Sequence, residues 1–117
     1  MTKKDNKTTE LLAMALLDKK AEDVLYIDIS SVSVIADGFL IASGRSTVHV
    51  KALCDEIQDK CRDNGIEVFA TEGYSAGRWI IVDLGDIMVH VFHREDREFY
   101  NLERLWNQQG NVREYAL

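Results

Sequence analysis

The sequence predicts an α/β domain, α+β in its layout, built on a mixed sheet of about five strands with helices mainly on one face. Three observations carry that prediction. Apolar runs of strand length alternate with longer stretches of helical periodicity. One pair of runs, "RWIIVDLGDIMVHVFHRED" from Arg78 to Asp96, reads as a hairpin. The 117 residues, 46% apolar and 29% charged, suffice for one buried core but hardly for two.

The first eight residues, "MTKKDNKT", are polar and are expected to form a flexible leader, which leaves residues 9–117 as one domain. From about Thr9 to Lys20 the Leu, Ala and Met content favours helix, with Leu12, Ala15 and Leu16 on one side and lysines at the end. Val24 to Ser30 alternates and is rich in branched residues, while Phe39 to Ser43 is continuously apolar between Asp37-Gly38 and Gly44; both read as strands. Ser46 can cap a helix in which Val50, Leu53, Cys54, Ile57 and Cys61 recur at helical spacing, and Asn64-Gly65 supplies a left-handed stop. "IEVFA", Ile66 to Ala70, is the strand expected next, so that the helix and its two flanking strands make a βαβ crossover. The polar loop "TEGYSAG" then leads into the hairpin. A last short helix, "EDREFYNLERLW", sets Phe99, Leu102 and Trp106 along one stripe.

Gly85-Asp86 fits a two-residue hairpin loop with glycine first, the type II′ preference, and this puts Leu84 opposite Ile87. Val82 then faces Val89, Ile80 faces Val91, Asp83 faces Met88, Ile81 faces His90 and Trp79 faces Phe92. One face of the hairpin carries only Ile80, Val82, Leu84, Ile87, Val89 and Val91, the kind of surface a sheet buries under helices. The other carries Trp79, Ile81, Asp83, Met88, His90 and Phe92. That mixture is too polar for a dry core and too apolar for bare water. Two arrangements satisfy it: a covering helix with Asp83 and His90 hydrogen-bonded at its edge, or exposure to a protein partner.

Charge favours a basic protein as that partner. The formal net charge of −6 repels a phosphate backbone, so direct binding to free nucleic acid is disfavoured. The lysines of "MTKKDNKTTE" are followed by no apolar signal region, and no run reaches the length of a membrane span, which points to a soluble cytoplasmic protein. Cys54 and Cys61 lie about 10 Å apart along a helix, too far for a disulfide, and are expected to be reduced core residues.

The catalytic patterns are weak. His90 and His93, three apart on a strand, point to opposite faces and cannot hold one metal ion together. Ser43-Gly44, leading to Ser46 at a helix start, is similar to the Gly-Ser turn of nucleotidyltransferase-like folds, where a helix N-terminus receives phosphate. Such enzymes need paired carboxylates for magnesium, yet the chain holds no Asp-x-Asp, and Asp83 and Asp86 are separated by the hairpin tip. No G-x-S-x-G, P-loop or G-x-G-x-x-G occurs. No cofactor, no metal and no catalytic residue are therefore expected. A nucleotide-binding enzyme that uses the turn, and an adaptor for some other partner, stay as alternatives.

Two stretches carry a family resemblance: "ADGFLIASGRSTVHVKALCDEI", Ala36 to Ile57, and "EGYSAGRWIIVDLGDIMVHVFHREDREFYNLERLW", Glu72 to Trp106. They resemble the ribosomal silencing factor family, RsfS, related to plant Iojap. The pattern W-x-x-x-D-L-G-D-x-x-V-H-V, here Trp79 to Val91, and the terminal Y-x-L-E-x-L-W, Tyr100 to Trp106, are long and specific. The resemblance implies a nucleotidyltransferase-like α/β domain that is catalytically degenerate, and a homodimer when unbound. It further implies binding to the large ribosomal subunit through a basic ribosomal protein, the fourteenth in the usual numbering, at the face where the small subunit docks. Occupying that face blocks subunit joining and represses translation when nutrients are scarce, while organelle relatives serve large-subunit assembly. By motif position it puts Trp79, Asp83 and Leu84 at the partner surface. The hairpin register adds Ile81, Met88, His90 and Phe92, and Tyr74 completes the candidate set. For Leu84 motif and register disagree, since the register turns it inward and only twist at the hairpin tip would expose it.

Overall fold

The computed structural model describes residues 3–106 and 110–116. Its elements run α1 (Lys3–Asp18), β1 (Glu22–Asp28), β2 (Gly38–Gly44), α2 (Thr47–Asp63), β3 (Ala70–Glu72), β4 (Trp79–Asp83), β5 (Ile87–His93), α3 (Arg94–Tyr100), α4 (Leu102–Trp106) and β6 (Val112–Glu114). The six strands form one mixed sheet in the order β3-β4-β5-β2-β1-β6, in which only β2 and β5 pair in parallel. The expected class, a mixed sheet with helices, is what the chain forms.

Helices α1 and α2 pack side by side on one face. Leu12 and Leu16 of α1 and Val50, Leu53, Ile57 and both cysteines of α2 are sealed against Val24, Tyr26, Leu40, Ile80, Val82, Val89 and Val91 of the sheet. Burial of this kind stabilises by roughly 1.5–3 kcal/mol for each large aliphatic side chain. The ends of α2 follow its sequence: the Ser46 hydroxyl accepts from the His49 N–H at 3.1 Å, and Gly65 takes φ +67° just beyond the helix. Gly38, the first residue of β2, lacks a side chain for a packing reason, since a Cβ there would lie 2.0 Å from the Tyr26 hydroxyl.

Helix α1 opens at Lys3, within the stretch read as a polar leader. Three expectations need correction. "IEVFA" is not a strand: only Ala70 joins β3, while Ile66 and Val68 lie on the core beneath the helices and Phe69 turns out to solvent. Alternation reports one-sided burial, and an extended loop laid on a core shows it as well as a ladder does. The crossover through α2 therefore does not join neighbours, because β4 and β5 lie between β2 and β3. The expected single C-terminal helix is two, broken where Asn101 adopts φ +47° and its N–H bonds to the Arg97 carbonyl. The Phe99 and Leu102 side chains of the expected stripe lie outside the described residues.

The opposite face of the sheet holds a smaller core of Ile27, Ile29, Phe39, Ile41 and Phe92, with Trp106 of α4 packed over it. Strand β6, unforeseen in the sequence, pairs antiparallel with β1, and the Asn111 amide ties it in by donating to the carbonyls of Asp28 (3.0 Å) and Trp106 (3.1 Å). Helices thus lie on both faces, the two long ones together on one.

Candidate functional site

The hairpin folds in the expected register: Trp79 pairs with Phe92, Ile81 with His90 and Asp83 with Met88. Gly85 holds φ +88°, and the Leu84 N–H reaches the Ile87 carbonyl at 2.9 Å. All six aliphatics of the one face are buried in the larger core. The mixed face divides into a part under α3 and α4 and a part left open toward the sheet edge.

Trp79 sits at the border between these parts. Its indole stacks on Phe92 with centroids 4.8 Å apart and is flanked by Tyr100 at 4.9 Å. Its Nε1–H donates to His90 Nδ1 at 3.1 Å. An indole nitrogen can only donate, so the imidazole is neutral with its own proton on Nε2. His90 is 4% exposed, with the Phe39 ring edge-on at 4.6 Å, and burial pushes its pKa down to about 4. Among the described residues, His90 Nε2 finds no hydrogen-bond partner. A salt bridge fixes the start of β4 against α3: Arg78 donates to both Asp96 oxygens, at 2.8 and 3.0 Å. The Arg78 guanidinium, by hydrogen bond and charge, holds the Asp96 carboxyl below its usual range.

The eight candidate residues separate accordingly. Trp79, Ile81, Asp83 and Met88 are partly exposed and share one face, which continues across β3 to the exposed Ala70 and Glu72. Phe92, fully buried, and His90 present no surface to a partner; they support Trp79 from behind. Leu84, 9% exposed, lies in the aliphatic core as the register turns it, beside the hairpin tip rather than on the open strip. Tyr74 belongs elsewhere: its hydroxyl donates to Asp55 of α2 at 3.0 Å, which raises its pKa, and Lys51 lies over its ring, all on the helical side. Asp83 is partly committed, since its Oδ1 accepts from the Gly85 N–H at 2.8 Å, leaving Asp86 as the exposed acid at the tip.

At the turn from Ser43 to Ser46 three of the polar groups are already engaged within the fold. The buried Ser43 hydroxyl accepts from Arg97 at 2.8 Å, the Arg45 N–H donates to His49 Nδ1 at 3.0 Å, and the His49 N–H is taken by Ser46. Cys54 and Cys61 are free and buried, and burial pushes both thiols up to about 11, far from a reactive thiolate. Among the described residues no group of three or more His, Cys, Asp and Glu side chains could hold a metal ion, and no helix is long and apolar enough to cross a membrane.

Sequence reasoning missed Tyr100 as a neighbour of Trp79, and it missed the exposed apolar residues Val32, Val34, Ile35 and Phe69 at the hairpin-tip end. A run of branched residues between Ser30 and Asp37, broken by serines, was the available signal for three of them.

Fold and site together define a mixed α/β domain with one sheet face sealed under two helices and, on the other, a half-covered strip of aromatic, aliphatic and acidic residues. The family described as ribosomal silencing factor during starvation, RsfS, matches residues 2–116, and the chain belongs to that family. It is 48% identical over 97 residues to the ribosomal silencing factor RsfS of Bacillus subtilis, covering 83% of this chain and 82% of the relative. A crystal structure of a Chromobacterium violaceum protein superposes with a TM-score of 0.85 at 32% identity, covering 96% of this chain and 92% of that one. The mouse protein named mitochondrial assembly of ribosomal large subunit protein 1 is 32% identical over 102 residues, which span 83% of this chain and 44% of that one.

Proposed function

We propose that the chain silences ribosomes by docking on a basic protein of the large subunit, the fourteenth, and standing where the small subunit must bind. One observation carries this reading. Trp79, Ile81, Asp83 and Met88 stay partly exposed on a sheet whose other face is buried along β2, β4 and β5, and an open aromatic with acids beside it fits a basic protein surface. A standard interface takes about 800 Å² from each partner. That is roughly an eighth of this chain's 6721 Å² of surface, so one face suffices. The action is steric and needs no turnover: a body of 34 × 33 × 28 Å held at the joining face keeps inter-subunit bridges from forming. Translation falls accordingly when nutrients are scarce. The same exposed strip makes a homodimer the expected unbound form, and sedimentation that shows only monomer up to high concentration contradicts that part.

The test is co-sedimentation with isolated large subunits. Wild type pellets with them, whereas Trp79→Ala loses about 2 kcal/mol or more of binding, some thirty-fold, while keeping its circular dichroism. A folded Trp79→Ala variant that binds like wild type removes this face from the site.

A second reading, a role in large-subunit assembly, is favoured by the name of the mouse relative. It uses the same docking at an earlier time. Depletion that leaves precursor large subunits accumulating supports assembly, and normal maturation with unchecked joining supports silencing. A nucleotide-dependent activity is opposed by the engaged Ser43 and Arg45 groups; magnesium plus nucleotide is expected to leave the melting temperature unchanged.

A further inference from the structure

We propose that the loop from Ile29 to Asp37, between β1 and β2, is a second contact of the docking surface: an apolar knob with an acidic rim that seats in the basic large-subunit protein. This rests on the docking reading above and extends it to residues outside the hairpin.

The loop is ordered by its own hydrogen bonds. The Ile29 N–H reaches the Asp37 carbonyl at 2.9 Å, the Val32 and Ser33 N–H groups return to the Ile29 carbonyl at 3.0 and 2.9 Å, and the Ile35 N–H bonds to the Ser33 hydroxyl at 3.0 Å. The Asp37 N–H ties it to the hairpin tip by a 2.7 Å bond to the Asp86 carbonyl, which makes the loop continuous with the end of the mixed face. Yet Val32, Val34 and Ile35 are 49%, 105% and 72% exposed. Three branched apolar side chains held in water on a bonded loop have little conformational freedom left to lose on binding, which is the property of a preorganised contact.

Charge selects the occupant. Residues 21–44 contain four acids and no Lys or Arg, and residues 79–92 contain Asp83 and Asp86 and likewise no Lys or Arg. Asp28, Asp37 and Asp86 therefore surround the knob with one sign of charge. Lys7 is placed near Asp86, but across a cavity on the helical side. A second copy of this chain would bring like charge against this rim, while a basic ribosomal protein brings the opposite.

The experiment compares wild type, Val34→Lys/Ile35→Lys, Val34→Ser/Ile35→Ser and Val48→Lys in co-sedimentation with large subunits and in sedimentation velocity alone. All replaced side chains are exposed, so folding is expected to persist, and unchanged melting checks this. Val48 is 77% exposed, lies in the first turn of α2 beyond the Gly44 end of β2, opposite the end that joins the loop, and serves as the control. The expected result is subunit binding roughly tenfold weaker or worse for the Lys pair, an intermediate loss for the Ser pair, and wild-type binding for Val48→Lys. Full subunit binding by both loop variants, beside a Trp79→Ala variant that fails, overturns the loop contact and leaves the docking reading standing. Loop variants that lose self-association but keep subunit binding assign the loop to a second copy and overturn the proposal. Wild type that does not pellet at all overturns both.

Discussion

At the scale of single residues, the account turns on Trp79 and the histidine behind it. The bond from the indole to His90 Nδ1 needs a neutral imidazole, and burial keeps it neutral. Folding lowers the pKa of this histidine from 6.5 to about 4, so its contribution to stability is complete above pH 6.5 and is lost as pH falls from there toward 4. The loss amounts to about 3 kcal/mol at the low end. Denaturant unfolding of wild type and His90→Asn at a series of pH values checks this: the stability difference between them should shift in the variant's favour on acidification, and parallel profiles contradict it. His90→Asn keeps an acceptor near the Nδ1 position and should hold Trp79 and its subunit affinity better than His90→Leu, which can be followed at the Trp79 indole N–H resonance. Much of this neighbourhood was legible in the sequence, because the two-residue hairpin loop determines which side chains share a face. What the sequence did not show is depth. Whether His90 and Phe92 face a partner or a covering helix depends on where α3 and α4 settle, and periodicity on the strand carries no information about that.

At the scale of elements, tight local geometry was legible and weak pairing was not. The Ser46 cap, the Asn64-Gly65 stop and the hairpin each depend on a few neighbouring residues, and each formed as its chemistry dictates. Strands β3 and β6, three residues each, are defined by their partners rather than by their own composition, and one left-handed residue, Asn101, divides the last helix. Gly38 shows the same dependence on a distant neighbour. Its conformation is ordinary, but Tyr26 fills the space of a side chain, so Gly38→Ala should cost roughly 1–3 kcal/mol and lower Tm by roughly 4 °C or more; an unchanged Tm contradicts the packing described. The hairpin tip offers a cleaner electrostatic probe than Asp83, which is engaged by Gly85. Asp86→Lys should weaken subunit binding at low salt and converge on wild type as salt rises, whereas a salt-independent loss points to a folding defect.

At the scale of the molecule, one sheet serves two purposes. The face under α1 and α2 supplies the core, and the other, only partly covered by α3 and α4, leaves a strip free from Trp79 to the hairpin tip. The chain belongs to the RsfS family and is acidic, and the docking proposed above sets that strip against a basic protein of the large subunit. The central claim is that occupancy alone prevents joining. It is tested most directly by mixing purified large and small subunits with increasing amounts of the protein and resolving the products on a sucrose gradient. The account predicts that joined ribosomes decline as the protein saturates the large subunits, without added nucleotide, and that Trp79→Ala requires some thirty-fold more protein for the same decline. Joined ribosomes that persist while the protein is bound to their large subunits would contradict it.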